Sequence, residues 1–318
     1  MDAVERYHPA PEQRALAGAM GDALADLLPL ARLHGADPDE AGVWSAFEGL
    51  GLFGITLPED QGGSGLGAVE EALIALELGR RLACPSVLCG IGANHARWRD
   101  GRRTAGRITA GYRSGADTIF VAAPDSRCIL VRDGDRAFIA PPPANSRPLD
   151  NRHWLSSLRG AEGVEESLAD FDDDGVLRLR LNDAAALAGM AQLATDMAVE
   201  YAKLRSQFGR PIGSFQAVKH HCANMAIAAR AAGDLVGFAA VAIDDGRSDA
   251  AFQVESALLT ASGAAIANAG LNIQIHGGIG FSEEAAPHLV LKRARLLLAI
   301  CGGQEAANRR LGDLPPLA

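Results

Sequence analysis

Long segments with apolar residues at helical spacing fill the C-terminal part of the chain. The first begins near residue 182, where Asn182 or Asp183 can cap a helix, and runs to about Leu204. Three more segments follow with short connections, over residues 215–243, 250–275 and 287–301. Four long helices joined by short connections favour a helical bundle.

The first 98 residues are also predicted to be mostly helical. Apolar residues recur at helical spacing over 12–33, with an interruption expected at Pro29, and another helix is predicted over about 68–82. The glycines of the segment 57–65 predict a tight loop. Glu77 and Arg80 are three residues apart, so they are expected to pair on one helix face.

Short segments typical of β-strands separate the two helical parts, at 117–123, 128–132 and 137–140. The residues 133–135 predict a hairpin turn, and alternating Leu and Arg over 175–181 predict a further strand. The expected fold is mainly α with a small β domain. It comprises an N-terminal helical domain over 1–98, a shortened middle β domain over 99–181 and a C-terminal four-helix bundle over 182–318.

Composition excludes several classes of function. The net charge of −9 argues against nucleic acid as a partner, and no apolar run approaches the roughly 20 residues of a membrane span. The polar first 14 residues contain no apolar signal-peptide core. Five scattered cysteines indicate reduced thiols and a cytoplasmic protein. Cys84 and Cys89 lack a second Cys/His pair, so no metal site is predicted.

Three segments are more specific than a generic helical pattern. The first, YAKLRSQFGRPIGSFQ, runs from Tyr201 to Gln216. The second, QIHGGIGF, begins at Gln274. The third, GLFGITLPEDQGGSG, begins at Gly51 and is followed by ELGR at 77–80.

Together these segments resemble the acyl-CoA dehydrogenase family, in the family's order and over most of the chain. The resemblance implies the same three-part fold, an FAD cofactor and an acyl-CoA substrate. Enzymes of this family remove a proton from the α-carbon of the thioester and transfer a hydride from the β-carbon to the flavin. An electron-transfer flavoprotein usually reoxidises the flavin.

The resemblance also implies which residues approach the ADP half of the flavin. An Arg at a helix end can present forked donors to a pyrophosphate, and glycine backbone allows close approach. The third segment and His276 are expected to be structural. The candidate cofactor-binding residues are Arg205, Gln207, Phe208, Gln216, Gln274, Gly277 and Gly278.

The family's catalytic base is missing from its usual position near the end of the fourth C-terminal helix. Cys301 occupies that position, or Gly302 after a one-residue shift, and neither accepts a proton as a carboxylate does. Glu305 lies one helical turn further on. An alternative family position on the first C-terminal helix falls near Leu179, and the nearest downstream acid, Asp183, is expected to be a helix cap. No catalytic residue is therefore assigned.

The middle domain also lacks the acidic-Pro-Gly-x-Gly-Ser-Asp stretch with which the family surrounds the flavin ring. Some bacterial acyl-CoA dehydrogenases for steroid side-chain thioesters are heterotetramers of two unlike chains, and this sequence resembles the shorter, base-lacking one. The first hypothesis is thus a subunit in lipid metabolism that adds flavin ADP contacts to a longer partner holding the base.

Two alternatives stay open. The chain could be a self-sufficient acyl-CoA dehydrogenase homo-oligomer with a displaced base, or a flavin-free helical binding or scaffold protein. Bound flavin after purification separates these two alternatives. Co-purification with a longer family member favours the two-chain hypothesis.

Overall fold

The computed structural model describes residues 8–34, 41–99, 106–123, 125–149, 155–164 and 167–315. Its N-terminal part contains the helices α1 (Pro11–Leu27), α2 (Trp44–Gly49), α3 (Ala68–Arg80) and α4 (Pro85–Gly92). After α1 the chain passes Pro29 into a 3-10 turn, Leu30–His34, which confirms the predicted interruption. The carboxylate of Glu70 accepts the backbone N–H of Gly67 at 3.1 Å and thereby satisfies a free donor at the start of α3.

The two local predictions for the N-terminal part are confirmed. The loop before α3 turns at Gly62 and Gly65, whose φ angles of 80° and 62° lie in the left-handed region. Arg80 Nη1 lies 3.4 Å from Glu77 Oε1, as their spacing predicted.

A mixed sheet of eight strands follows within the described residues, in the order β1-β8-β5-β4-β2-β3-β7-β6. Neighbouring strands are antiparallel except for the parallel pair β2 and β4. The strands are β1 (Arg97–Trp98), β2 (Arg107–Ser114), β3 (Asp117–Val121), β4 (Ser126–Asp133), β5 (Arg136–Ala140), β6 (Arg147–Pro148), β7 (Leu158–Glu162) and β8 (Ala169–Asp170).

The predicted hairpin turn is confirmed, because Asp133 pairs with Arg136 across a turn that contains Gly134. The sequence pattern did not predict β2, whose Ala110 and Gly111 have low β-propensity.

The C-terminal part is helical apart from a short hairpin, and its second, third and fourth long helices occupy the predicted positions. Its elements are α5 (Asp173–Leu204), β9 (Ser206–Gln207), β10 (Arg210–Pro211), α6 (Gln216–Asp244), α7 (Ala250–His276), α8 (Pro287–Ile300) and α9 (Gly303–Asp313).

The start of α5 corrects one prediction. The helix begins at Asp173, so the strand predicted over 175–181 is wrong, and the predicted division at residue 181 falls inside α5. The side chain of Asp172 caps this helix by accepting the N–H of Gly175 at 2.8 Å. Two further acidic side chains in the first turn interact favourably with the positive end of the helix dipole. Asn182 and Asp183 lie buried inside the helix and are not caps.

Helices α3 and α5 cross at two glycines. A Cβ atom on Gly79 would lie 2.0 Å from the carbonyl oxygen of Ala186, and one on Gly189 would lie 2.0 Å from that of Leu76. The main core runs through α3 and the C-terminal helices, and a second core cluster joins the sheet to α4, α5 and α8.

By length and composition alone, two helical segments could cross a membrane, Gln216–Asp244 and Ala250–Phe281. No such span was predicted from the lengths of the apolar runs. Core helices of globular proteins pass the same test, and both segments contribute buried residues to the bundle.

Candidate functional site

The segment after α5 forms a tight hairpin that displays its turn to solvent. Arg205 ends the helix, and its carbonyl accepts the N–H of Ile212 at 2.7 Å, which closes the hairpin. Phe208 and Gly209 form the turn with φ angles of 52° and 77°. Two successive left-handed residues are typical of the turn that joins twisted strands most directly. The side chain of Phe208 is 93% exposed.

Aromatic contacts hold this exposed turn in place. The rings of Phe208 and Phe215 meet edge to face with centroids 6.1 Å apart, and the guanidinium of Arg210 lies 4.2 Å above the ring of Phe215. These contacts are made on the surface and do not bury Phe208. The hairpin is therefore organised to present an aromatic side chain outward.

The second segment begins where α7 ends. Gly277 follows the helix with a φ angle of 67°, and a 3-10 turn, Gly277–Phe281, continues the chain. Gly280 is buried, and a Cβ atom there would lie 2.5 Å from the carbonyl oxygen of Ile273. A Cβ atom on Gly277 or Gly278 would meet no atom within 4 Å, so their backbone is open to approach.

A stacked ring pair brings the two segments together. The rings of Tyr201, in the last turn of α5, and His276, the last residue of α7, have centroids 4.1 Å apart. His276 Nδ1 donates to the carbonyl oxygen of Asn272 at 2.8 Å, and partial burial lowers the pKa of this imidazole, so it is neutral at pH 7.

The seven candidate residues thus lie on segments that meet at one end of the bundle. All seven are exposed: Arg205, Gln207, Phe208, Gln216, Gln274, Gly277 and Gly278. Among the described residues, the side chains of Arg205, Gln207, Gln216 and Gln274 form no hydrogen bond or ion pair. The free guanidinium of Arg205 and the three free amides, beside open glycine backbone, are groups that can hold the phosphates of a dinucleotide.

Cys301, which with Gly302 as the alternative was predicted at the family's base position, carries a protonated thiol. Cys301 is buried directly after α8, and burial raises the pKa of its thiol to about 12. It therefore stays protonated at neutral pH. Gly302 and Gly303 turn the chain with φ angles of 86° and 75°, and Glu305 is exposed on α9.

Asp183 lies near Cys301 in a buried charged cluster. Its carboxylate is 3% exposed and accepts a hydrogen bond of 2.9 Å from Arg132 on β4. Burial raises the pKa of Asp183 to about 6, although Arg132 opposes this shift. The carboxylate is thus engaged by an arginine rather than open to a substrate.

The remainder of this cluster was not identified from the sequence. Glu255 on α7 accepts Arg180 at 2.9 Å and Arg310 at 2.8 Å, and Asp135 in the β4–β5 turn accepts Arg180 at 3.1 Å. The cluster therefore joins the sheet hairpin to α5, α7 and α9. The alternation of Arg180 with leucines led to the incorrect strand prediction. If the segment had been predicted as a helix, the position of Arg180 on that helix would have been the available signal for the cluster.

All five cysteines are free, and no group of three or more His, Cys, Asp or Glu side chains within the described ranges could hold a metal ion.

Comparison with known proteins identifies two family domains. Residues 10–98 match "Acyl-CoA dehydrogenase, N-terminal domain", and residues 175–312 match "Acyl-CoA dehydrogenase, C-terminal domain". Acyl-CoA dehydrogenase FadE34 of Mycobacterium tuberculosis is 32% identical over 88% of this chain, which spans only 44% of FadE34. Acyl-CoA dehydrogenase IpdE2 of the same organism is 32% identical, and the match covers 83% of each chain.

Solved structures share the fold. A chain of the Tcur3481-Tcur3483 steroid acyl-CoA dehydrogenase superposes with a TM-score of 0.77 at 21% identity, covering 95% of this chain and 97% of that one. A chain of the ChsE4-ChsE5 complex from Mycobacterium tuberculosis superposes with a TM-score of 0.73 at 20% identity, covering 98% and 100%.

Proposed function

The chain belongs to the acyl-CoA dehydrogenase family, and we propose that it is a subunit taking part in FAD-dependent α,β-dehydrogenation of an acyl-CoA thioester. In this proposal it contributes contacts to the ADP half of a flavin, and a longer partner chain holds the catalytic base. Bound FAD would supply the hydride acceptor.

One observation carries the proposal. The chain has free donors for a dinucleotide at the Tyr201–His276 end, yet the base position holds a buried thiol with a pKa of about 12. General base catalysis contributes roughly 10²–10⁴-fold to a rate, and a protonated thiol cannot replace a placed carboxylate. These two observations support a chain that contributes to cofactor binding and leaves removal of the α-proton to its partner.

Exposed apolar side chains support a partner at the same end. Four of them are at least half exposed: Leu204 at 80%, Phe208 at 93%, Ile279 at 50% and Phe281 at 75%. We call these four residues the apolar end. Exposed aromatic and aliphatic side chains on two adjoining segments are typical of a surface that another protein covers.

The relatives support a two-part enzyme. The chain spans 44% of FadE34, so that relative has room for a second unit of similar size. ChsE4-ChsE5 and Tcur3481-Tcur3483 are each named as a pair. Because the latter is a steroid acyl-CoA dehydrogenase, we propose a steroid side-chain thioester as the substrate class. A heterotetramer, a cytoplasmic location and an electron-transfer flavoprotein as acceptor complete the proposal.

A homo-oligomer with a displaced base is the second candidate, because the pKa of Asp183 near 6 suits a base. Its burial and its bond to Arg132 disfavour this role. The third candidate, a flavin-free scaffold, has no specific observation in its favour.

The test is to purify the chain alone and together with the longer acyl-CoA dehydrogenase chain encoded nearest to it. We expect FAD and acyl-CoA-dependent dye reduction in the complex, and no dye reduction by the chain alone. Dye reduction by the pure chain that Asp183→Asn or Glu305→Gln abolishes would establish the homo-oligomer instead. Absence of flavin from both preparations would favour the scaffold.

A further inference from the structure

A groove lies between α1, α3, α5 and α6, away from the Tyr201–His276 end. Its volume of about 490 Å³ is within the range of small-molecule pockets. Ala188, which lines it, precedes Tyr201 on α5 by about 20 Å along the helix axis. The groove is therefore separate from the candidate flavin site.

Polar and apolar residues line the groove, and the apolar ones form one part of its surface. Leu73 and Leu76 of α3 and Ala188 of α5 form its walls, and Gly233 of α6 lines it as well. A Cβ atom on Gly233 would meet no atom within 4 Å, so the groove is open above this residue. An aliphatic chain can lie there without displacing the helices.

Three arginines surround the groove, and two of them are already neutralised. Arg80 lies 3.4 Å from Glu77 and 3.2 Å from Asp196, and Arg230 lies 2.7 Å from Asp234.

Arg14 of α1 is the third arginine, and it is exposed. It forms no ion pair or side-chain hydrogen bond with any residue that the structure describes. A guanidinium without a protein partner therefore borders the groove, which Glu77 and Asp234 also line.

We propose that this groove binds an amphipathic monocarboxylate. The aliphatic part lies against Leu73, Leu76 and Ala188, and the carboxylate pairs with the forked donors of Arg14. Guanidinium and carboxylate form charge-assisted bonds that are stronger than neutral ones. A multiply charged anion is disfavoured because the remaining arginines have partners. The site does not depend on the dehydrogenase proposal.

The experiment is calorimetric titration of the full chain with sodium decanoate below its micelle-forming concentration, with uncharged 1,2-decanediol as the comparison ligand. We expect decanoate to bind with one-to-one stoichiometry and the diol to bind at least about tenfold more weakly. Gly233→Leu fills the groove with a better helix former and should abolish decanoate binding. Arg14→Gln should remove the preference for decanoate over the diol.

Gly18→Leu is the matched control, because Gly18 is an exposed helical glycine of α1 whose Cβ atom would also meet nothing within 4 Å. This variant should bind decanoate as the unmodified chain does. Three results would each overturn the proposal: no decanoate binding by the unmodified chain, undiminished binding by both Gly233→Leu and Arg14→Gln, or equal loss in Gly18→Leu. Circular dichroism of each variant verifies the fold, and flavin content is measured separately.

Discussion

The rings of Tyr201 and His276 stack with an interplanar angle of 23° and a centroid separation of 4.1 Å. This pair connects the end of α5 to the end of α7. The contact brings two segments that lie far apart in the sequence together into one surface. All the proposed flavin contacts lie on that surface.

The stack should contribute measurable coupling. We expect a double-mutant cycle of Tyr201→Leu and His276→Leu to give an interaction free energy of about 0.5–1.5 kcal/mol in denaturant unfolding. The distant pair Tyr201→Leu and Phe53→Leu is the control, and its effects should add to within about 0.5 kcal/mol. A coupling no larger than that of the control would show that the stack does not join the segments.

Phe208→Ala should weaken association with the partner without altering the stability of the lone chain. The side chain is 93% exposed, so its truncation should change the free energy of unfolding by less than about 0.5 kcal/mol. A central aromatic residue of an interface typically contributes about 2 kcal/mol or more, so the dissociation constant measured by biolayer interferometry should rise at least about tenfold. Leu16→Ala on α1 is the control; an equal effect there would argue against the apolar end as the interface.

The ionisation of Asp183 should make unfolding pH-dependent. Its folded-state pKa of about 6 lies above the ordinary value of 3.8, so the folded chain holds the proton more tightly than the unfolded chain does. The stability from this group is complete below pH 3.8 and is lost as the pH rises through 6. Relative to Asp183→Asn, the unmodified chain should lose up to about 3 kcal/mol of unfolding free energy between pH 4 and pH 7. Parallel pH profiles for the two proteins, from urea titrations, would contradict this.

The crossing of α3 and α5 should tolerate no side chain. Gly79→Ala or Gly189→Ala would place a methyl group 2.0 Å from a carbonyl oxygen and force the helices apart. We expect a loss of at least about 1–3 kcal/mol in thermal or denaturant unfolding. Gly18→Ala, in open space on α1, should instead stabilise the chain by about 0.5–1 kcal/mol, since alanine favours the helix. Similar effects at the three positions would mean that the crossing is looser than described.

Local patterns were sufficient for much of the fold. Helical spacing identified the C-terminal helices, and the turn at Gly134 identified the β4–β5 hairpin. The start of α5 was placed too late because alternating Leu and Arg over 175–181 fit a strand. The helix is favoured because Asp172 caps its start. It is also favoured because arginines of this segment bond acidic side chains on other elements.

Long-range pairs could not be predicted from the sequence. Asn182 donates to Glu71 on α3 at 2.7 Å, and Asp183 bonds Arg132 on the sheet. One or the other was predicted as the helix cap, because Asn and Asp are common capping residues. Their burial depends on how α3 and the sheet pack on α5, which local spacing does not specify. Likewise, the motifs identified the two segments that we propose face the flavin, whereas the Tyr201–His276 contact that joins them depends on tertiary packing.

Retention of FAD by the two-chain complex is the measurement that tests the central claim most directly. Arg205→Gln removes the guanidinium at the end of α5. Arg309→Gln is the matched control, because Arg309 lies far from this end of the bundle. Its neighbour Arg310 bonds Glu255, and Glu255 lies about 30 Å along α7 from His276. We predict that the complex with Arg309→Gln retains FAD during gel filtration. The complex with Arg205→Gln should bind FAD at least about tenfold more weakly. Equal FAD affinity in the two variant complexes would contradict the assignment of this end of the chain to the flavin.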